Sequence, residues 1–186
     1  MRIIGIEQPE QFYDRIYSGD YPESAYDFLF SQTIKYIEMI GARKILDVCC
    51  GTGRMAELLL TEKSSQIYDY VGFDFSEEAI IKAQNKQLNA SFLIGNAYDD
   101  QFYAERVDVV LVLEALEHLD DFRVLNKIKS GTYIIGSVPN FDFAGHVRTY
   151  TKDSVVERYK DIIDFKRLMT FSKGRQEWYL FLGIKK

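Results

Sequence analysis

Residues 47–53, Asp47-Val48-Cys49-Cys50-Gly51-Thr52-Gly53, decide how this chain is read. They close a short apolar run, RKILDVCC, and open onto MAELLL, whose apolar positions recur at helical steps. They also hold both cysteines of the chain. Adjacent cysteines close only a strained ring, and no second Cys/His cluster stands at zinc spacing, so the pair reads as two small side chains in the wall of a loop. Gly51, Gly53 and Ala56 fit the pattern G-x-G-x-x-G/A between a strand and a helix, and Asp74 follows about 20 residues after the pattern. That arrangement predicts a tight turn where the backbone comes close to a nucleotide-like ligand, with an acid suited to a ribose diol.

Working outward, strand and helix patterns alternate. IYDYVGFDF is strand-like, and SEEAIIKAQNKQL is a helix with Ser76 as its cap and two acids in its first turn. SFLIGNA, RVDVVLVLE and GTYIIGSVPN read as further strands, with a helix in DDFRVLNKIK. Each strand is a continuous apolar run, the signature of a parallel sheet buried on both faces. Upstream, QFYDRIY and residues 25–40 have helical spacing, so the chain is expected to open with helices. MAELLLTEK is expected to be helical through Lys63. Downstream, a helix is expected over Lys152 to Tyr159, followed by two alternating segments, IIDFKRLMTF and EWYLFLGIKK, joined by SKGR as an antiparallel hairpin. The expected fold is therefore α/β, a doubly wound, seven-stranded, mostly parallel sheet with a closing antiparallel hairpin and helices on both faces. One domain over 1–186 is expected, with a helical lid in 1–41, a cofactor-binding core in 42–140, and an acceptor loop, helix and hairpin in 141–186.

The chain has 186 residues, 47% of them apolar, enough for one full core. No run of about 18 apolar residues is present, and the N-terminus lacks the apolar core of a signal peptide, which points to a cytoplasmic protein that does not enter a membrane. The net charge of −5 hides an asymmetry, −11 over residues 1–120 and +6 over 121–186. An acidic total argues against a nucleic-acid partner.

In a doubly wound sheet the ligand sits beyond the carboxyl ends of the strands. Here those ends carry Asp47, Asp74, Asp99 and Glu114. Such a rim disfavours a pyrophosphate and favours a cation. S-adenosylmethionine, with its sulfonium and ammonium, fits it better than a nicotinamide dinucleotide.

ILDVCCGTGRMAELL, VGFDFSEEAI, LIGNAYD and DVVLVLEALEHL, in that order, resemble the successive motifs of class I (Rossmann-like) S-adenosylmethionine-dependent methyltransferases, over roughly residues 40–140. The resemblance implies that Asp47, Cys49, Gly51 and Gly53 line the methionine part of the cofactor. By the same resemblance Asp74 meets the ribose, Phe75 the adenine face, Asn96 and Ala97 the adenine edge, and Glu114 lies beside the cofactor. Cys49 departs from the family pattern, standing where a glycine is common. The loop is expected to survive this if its backbone at Cys49 is not left-handed.

Methyl transfer from a sulfonium needs an aligned acceptor and, for a hydroxyl, a place for its proton. His118 and His146, the two histidines, both follow strand ends and are the candidate catalytic residues. Glu114, Glu117, His118 and His146 also make up a plausible octahedral set. They resemble the E-x-x-E-H segment of small-RNA 3′-terminal ribose 2′-O-methyltransferases, but only one later histidine follows, so no metal is assigned. Tyr17 and Tyr21, with other aromatics of the opening helices, and Arg148, which would pair with a carboxylate or phosphate, are the candidate acceptor-binding residues. The expected function is methyl transfer to oxygen or nitrogen of a small metabolite, an anionic one being an option. The alternatives are a metal-assisted RNA methyltransferase and a non-catalytic cofactor-binding scaffold.

Overall fold

The structure is a computed structural model and describes residues 1–62 and 66–186. Its elements in chain order are β1 (Arg2–Ile3), α1 (Glu10–Ser18), α2 (Asp27–Ile40), β2 (Lys44–Val48), α3 (Arg54–Glu62), β3 (Asp69–Asp74), α4 (Glu77–Asn85), β4 (Ser91–Ile94), β5 (Val109–Leu113), α5 (Asp121–Leu125), β6 (Tyr133–Pro139), β7 (Arg148–Thr149), α6 (Lys152–Tyr159), β8 (Ile163–Lys173) and β9 (Gln176–Lys185). The expected end of α3 at Lys63 lies outside the described residues.

Seven strands form one sheet in the order β4-β3-β2-β5-β6-β9-β8. The first five are mutually parallel, and β9 runs antiparallel to both β6 and β8. From β2 the chain winds outward to β3 and β4, then returns to place β5 on the other side of β2. The strand order therefore reverses between β2 and β5, where a ligand crevice belongs.

The central strands feed two cores by simple alternation. Val109, Leu111 and Leu113 pack with Leu29, Ile34, Ile37 and Leu59 of α2 and α3, while Val110 and Val112 pack with Val124, Val155 and Tyr159 of α5 and α6. At about 1.5–3 kcal/mol for each fully buried large aliphatic side chain, these two layers supply most of the driving force for folding. Helix α2, from the segment expected to be a lid, is thus part of the core.

Ser76 caps α4 as expected, its hydroxyl accepting from Ala79 N at 3.3 Å. Three local expectations change. SFLIGNA is not buried on both faces, because β4 is the sheet edge and leaves Leu93 and Ile94 exposed. EWYLFLGIKK is not alternately buried, because β9 is interior and buries Trp178 through Leu182 without a break. Nor does the chain open with a helix: β1 pairs with β7, Arg2 opposite Thr149 and Ile3 opposite Arg148. This pairing brings residues 7–11 over the strand ends.

Candidate active site

A cavity of about 520 Å³ opens beyond the carboxyl ends of β2, β3 and β5. Cys49, Asp74, Phe75, Asn96, Ala97, Glu114, His118, His146, Tyr17 and Tyr21 line it together, although they come from segments far apart in sequence. Asp47, Gly51, Gly53 and Arg148 do not line it.

The loop after β2 is built around Asp74. Its Oδ2 accepts from Gly51 N and its Oδ1 from Ser76 N, both at 3.0 Å. Each oxygen keeps a further lone pair for an incoming hydroxyl. Burial raises this carboxyl to about 6, offset by the two amides that favour its charged form. Gly51 has φ +53°, and a Cβ there would come within 3.2 Å of the Tyr17 hydroxyl, so the loop needs a glycine both for its conformation and for its space. Gly53, with φ +74°, would press a Cβ to 3.0 Å from Ala83 and Phe92 behind the wall.

Cys49 corrects an expectation. Its backbone is left-handed, φ 58°, and the loop nonetheless keeps its shape. Asp47 sits one layer behind, accepting a hydrogen bond from the Tyr70 hydroxyl in full burial. Its role in this structure is to brace the floor of the loop.

Phe75 stands in the wall with its ring 5.3 Å from that of Tyr13, and Asn96 with Ala97 lies at the end of β4. An acid with spare acceptors, an aromatic face, a polar edge and a rim of carboxylates make up the donor set required by a nucleoside with a cationic tail. The residues present therefore fit S-adenosylmethionine.

The other half of the cavity is assembled by long-range contacts. Glu114, also left-handed at φ 51°, ends β5. Ser137 of β6 clamps it: the serine Oγ accepts from Glu114 N at 3.0 Å and donates to Glu114 Oε1 at 2.7 Å. The Trp178 indole N–H lies beside this carboxyl but outside hydrogen-bond geometry. Burial brings Glu114 to about 7, the Ser137 hydrogen bond opposing the rise.

The loops carrying the two histidines are tied together. Val147 N donates to Glu117 O at 2.7 Å, and Arg148 Nη1 donates to the carbonyls of Leu116 and Leu119 at 2.5 and 2.6 Å. Arg148 also lies 3.6 Å from the Asp121 carboxylate. This corrects its expected role: it is a brace between two loops and turns away from any acceptor. The brace leaves the His118 and His146 rings 4.7 Å apart, edge to face. His118 Nδ1 is 3.0 Å from Gly145 O and 3.1 Å from the Tyr13 hydroxyl, and His146 Nδ1 is 3.1 Å from Phe141 O. A carbonyl only accepts, so each proton belongs on Nδ1 and each Nε2 presents a lone pair. Burial lowers both imidazoles, His118 to about 4 with His146 adding to the shift, so both stay neutral at physiological pH.

Ser137 and Glu7 are among the groups of this site that were not picked out as site residues from the sequence alone. Ser137 carried a usable signal, a hydroxyl inside the apolar run YIIGSVP. Glu7, which lines the cavity and accepts from the Tyr98 hydroxyl at 2.6 Å, carried none, because only the β1–β7 pairing brings it there.

Residues 45–131 match the model of the methyltransferase domain family. A ubiquinone biosynthesis O-methyltransferase of Coxiella burnetii is 31% identical over 128 residues, 62% of this chain and 53% of the relative. The chain thus spans about half the length of that curated relative. Among solved structures, magnesium protoporphyrin IX methyltransferase from Synechocystis PCC 6803 with bound S-adenosylhomocysteine superposes with a TM-score of 0.71 at 14% identity, covering 95% of this chain and 94% of that one. The [4+2]-cyclase SpnF superposes with a TM-score of 0.77 at 12% identity, covering 98% of each chain. Those two likenesses concern the fold. Sheet order, loop chemistry and the family match over residues 45–131 together give this chain the fold and the methyltransferase-domain signature of the class I, Rossmann-like S-adenosylmethionine-dependent methyltransferases.

Proposed function

We propose that the protein transfers a methyl group from S-adenosylmethionine to a hydroxyl of a small, uncharged aromatic acceptor. The observation that carries the reading is that one cavity joins the cofactor loop to two neutral imidazoles with free Nε2 lone pairs. S-adenosylmethionine, held by Asp74, Phe75, Asn96 and Ala97, would supply an activated methyl to the acceptor oxygen, its sulfur leaving as a neutral thioether and the acceptor proton passing to the protein.

This chain's residues supply the rest. Tyr17, Tyr21 and Tyr26 wall the cavity with rings that pack on an aromatic acceptor and hydroxyls that orient it. Imidazole lone pairs at His118 and His146 line the cavity and are placed to take the proton of an acceptor hydroxyl bound there. Residues 7–11, laid over the strand ends by the β1–β7 pairing, shield the reacting atoms from water.

The acceptor class follows from the wall. Among the described residues no lysine or arginine lines the cavity, and Arg148 is bound to backbone carbonyls. An anionic acceptor would therefore face Glu7, Glu10, Asp74 and Glu114 without a counter-charge, and a polyanion such as RNA would fare worse. The name of the Coxiella burnetii relative, an O-methyltransferase of ubiquinone biosynthesis, supports oxygen over nitrogen.

The test is isothermal titration with S-adenosylhomocysteine, followed by labelled methyl transfer to a panel of phenols, benzoates and amines. Micromolar binding with turnover of neutral phenols is expected. Binding without turnover of any acceptor, undisturbed by His118→Ala and His146→Ala, would make the protein a cofactor-binding scaffold.

A further inference from the structure

We infer that Asp14 is a positioning residue for the cofactor: through Ser76 it fastens helix α1 over the cofactor loop as a roof that closes on bound S-adenosylmethionine. The inference concerns the cofactor half of the cavity and holds whatever the methyl acceptor. Helix α1 is nine residues long, and none of them is buried. A helix of that length is marginal in water alone, so its order depends on docking. Its inner face is given to the cavity, where Glu10, Tyr13, Ile16 and Tyr17 form the roof. A ligand packed against those side chains and a closed roof therefore stabilise each other.

The roof is fastened by polar bonds. Ahead of α1, Glu7 accepts from the Tyr98 hydroxyl. Just past its end, Lys82 Nζ of α4 donates to Gly19 O at 3.0 Å. Within the helix, Asp14 Oδ1 accepts from the Ser76 hydroxyl at 2.6 Å. Only this last bond reaches the cofactor loop. Ser76 also donates its amide N–H to Asp74 Oδ1, and Asp74 Oδ2 accepts from Gly51 N. One residue thus links the roof helix to the acid that meets the ribose and, through it, to the glycine loop.

Two ring contacts make the position of α1 matter to the ligand. The Tyr17 hydroxyl stands against Gly51, 3.2 Å from where a Cβ would lie, and the Tyr13 ring is 5.3 Å from that of Phe75. Movement of α1 off α4 uncovers both the glycine loop and the aromatic wall. Asp14 governs that movement without serving elsewhere: among the described residues, the bond from Ser76 is the only hydrogen bond of its side chain. Ser76 is the less informative position, because its hydroxyl also caps α4. A carboxylate acceptor strengthens the bond. No buried side chain of α1 backs it up, so it decides how long the roof stays shut.

The test is hydrogen exchange of the full chain read by mass spectrometry, with and without S-adenosylhomocysteine, alongside isothermal titration. In the wild type, S-adenosylhomocysteine should slow exchange over residues 10–18. Asp14→Ala should lose most of that protection and bind S-adenosylhomocysteine about tenfold more weakly, the scale of one charged hydrogen bond, chiefly through faster release. Asp14→Asn, whose amide oxygen still accepts from Ser76, should restore affinity close to that of the wild type. Thermal midpoints without ligand should agree among the three proteins, because α1 buries no residue. The inference is overturned if S-adenosylhomocysteine binds the wild type without slowing exchange in α1, or if Asp14→Ala binds it as tightly as the wild type. It is equally overturned if Asp14→Asn is as weak as Asp14→Ala, or if the ligand-free midpoint falls in step with affinity, which would make Asp14 a stability residue. Each of these results is read on protein that binds S-adenosylhomocysteine and leaves the methyl-transfer reading intact.

Discussion

Cys49 and Glu114 occupy equivalent places on adjacent strands. Each stands just beyond the carboxyl end of its strand, β2 and β5, on the two sides of the switch point, and each is a non-glycine residue in left-handed backbone, with φ of 58° and 51°. An L-residue gives up about 1–2 kcal/mol to stand there. What they gain differs. Glu114 is held by a reciprocal pair of hydrogen bonds with Ser137 and presents a carboxyl to the cavity, whereas the Cys49 side chain packs against the core and fills the cavity wall. Strain that positions a chemical group is retained for function, and strain that fills a wall is dispensable. The same contrast separates the two halves of the site. The cofactor half is held by carboxylate-to-backbone bonds from Asp74 across the adjacent strands β2 and β3, and the acceptor half by bonds between loops and the clamp from β6.

The sharpest way to break that division is His146→Ala. Methyl transfer to a phenolic acceptor should fall by about 100-fold, the scale of a lost proton acceptor. S-adenosylhomocysteine affinity, measured by titration, should stay within about twofold, because the ring touches none of the loop groups around Asp74. If both fall together, the halves are not separable.

A second test addresses the floor of the cofactor half. Burial raises the Asp47 carboxyl from its ordinary value of 3.8 to about 7, against the hydrogen bond from Tyr70, and nearby Asp74 adds to the rise. Between those two values the unfolded chain has released a proton that the folded chain retains. Stability from this group therefore falls as pH rises from about 4 to about 7 and is level above that window. Asp47→Asn removes the titration while still accepting from Tyr70. By urea denaturation it should be more stable than the wild type at pH 8 by on the order of 2 kcal/mol, with the difference shrinking toward pH 4. Equal stability at both pH values would mean that Asp47 is solvated in solution.

Asp74→Ala should weaken S-adenosylhomocysteine at least tenfold, about 1.4 kcal/mol, because the ribose contact and the Gly51 and Ser76 amide anchors are lost together. Turnover at saturating cofactor should change far less. A variant with normal affinity would detach Asp74 from the cofactor and leave it as a loop anchor only.

These two halves also differ in how far they could be read from the chain. The succession of strands and helices, the Ser76 cap and the glycine loop with its distant Asp74 were legible, because apolar periodicity, capping chemistry and motif spacing specify them. Burial of β4 and β9 was misjudged because an apolar run does not tell an edge strand from an interior one; only the sheet order does. Arg148 looked like an anion receptor because it adjoins His146, yet its partners Leu116 and Leu119 are about 30 positions away in sequence. The Glu7 strap depends on loop-to-loop pairing, for which no local pattern exists, whereas Glu117, His118 and His146 stood out together in the chain and the fold brings them within reach of one another.

The smallest expected effect returns to the opening pair. Cys49→Gly should relieve about 1–2 kcal/mol of left-handed strain, of which the greater freedom of glycine in the unfolded chain takes back about 0.5–1. A net gain near 1 kcal/mol is expected, about 2–4 °C in midpoint for a domain of this size, visible in a thermal scan without ligand. Glu114→Gly makes the same backbone change and should lose stability, because Ser137 then has no carboxyl to donate to and the clamp on the end of β5 opens. Opposite signs would show that the two left-handed residues are kept for different reasons. If Cys49→Gly instead lowers the midpoint, its thiol contributes more to the wall than packing alone supplies, and the cofactor loop is as dependent on its side chain as the acceptor half is on Glu114.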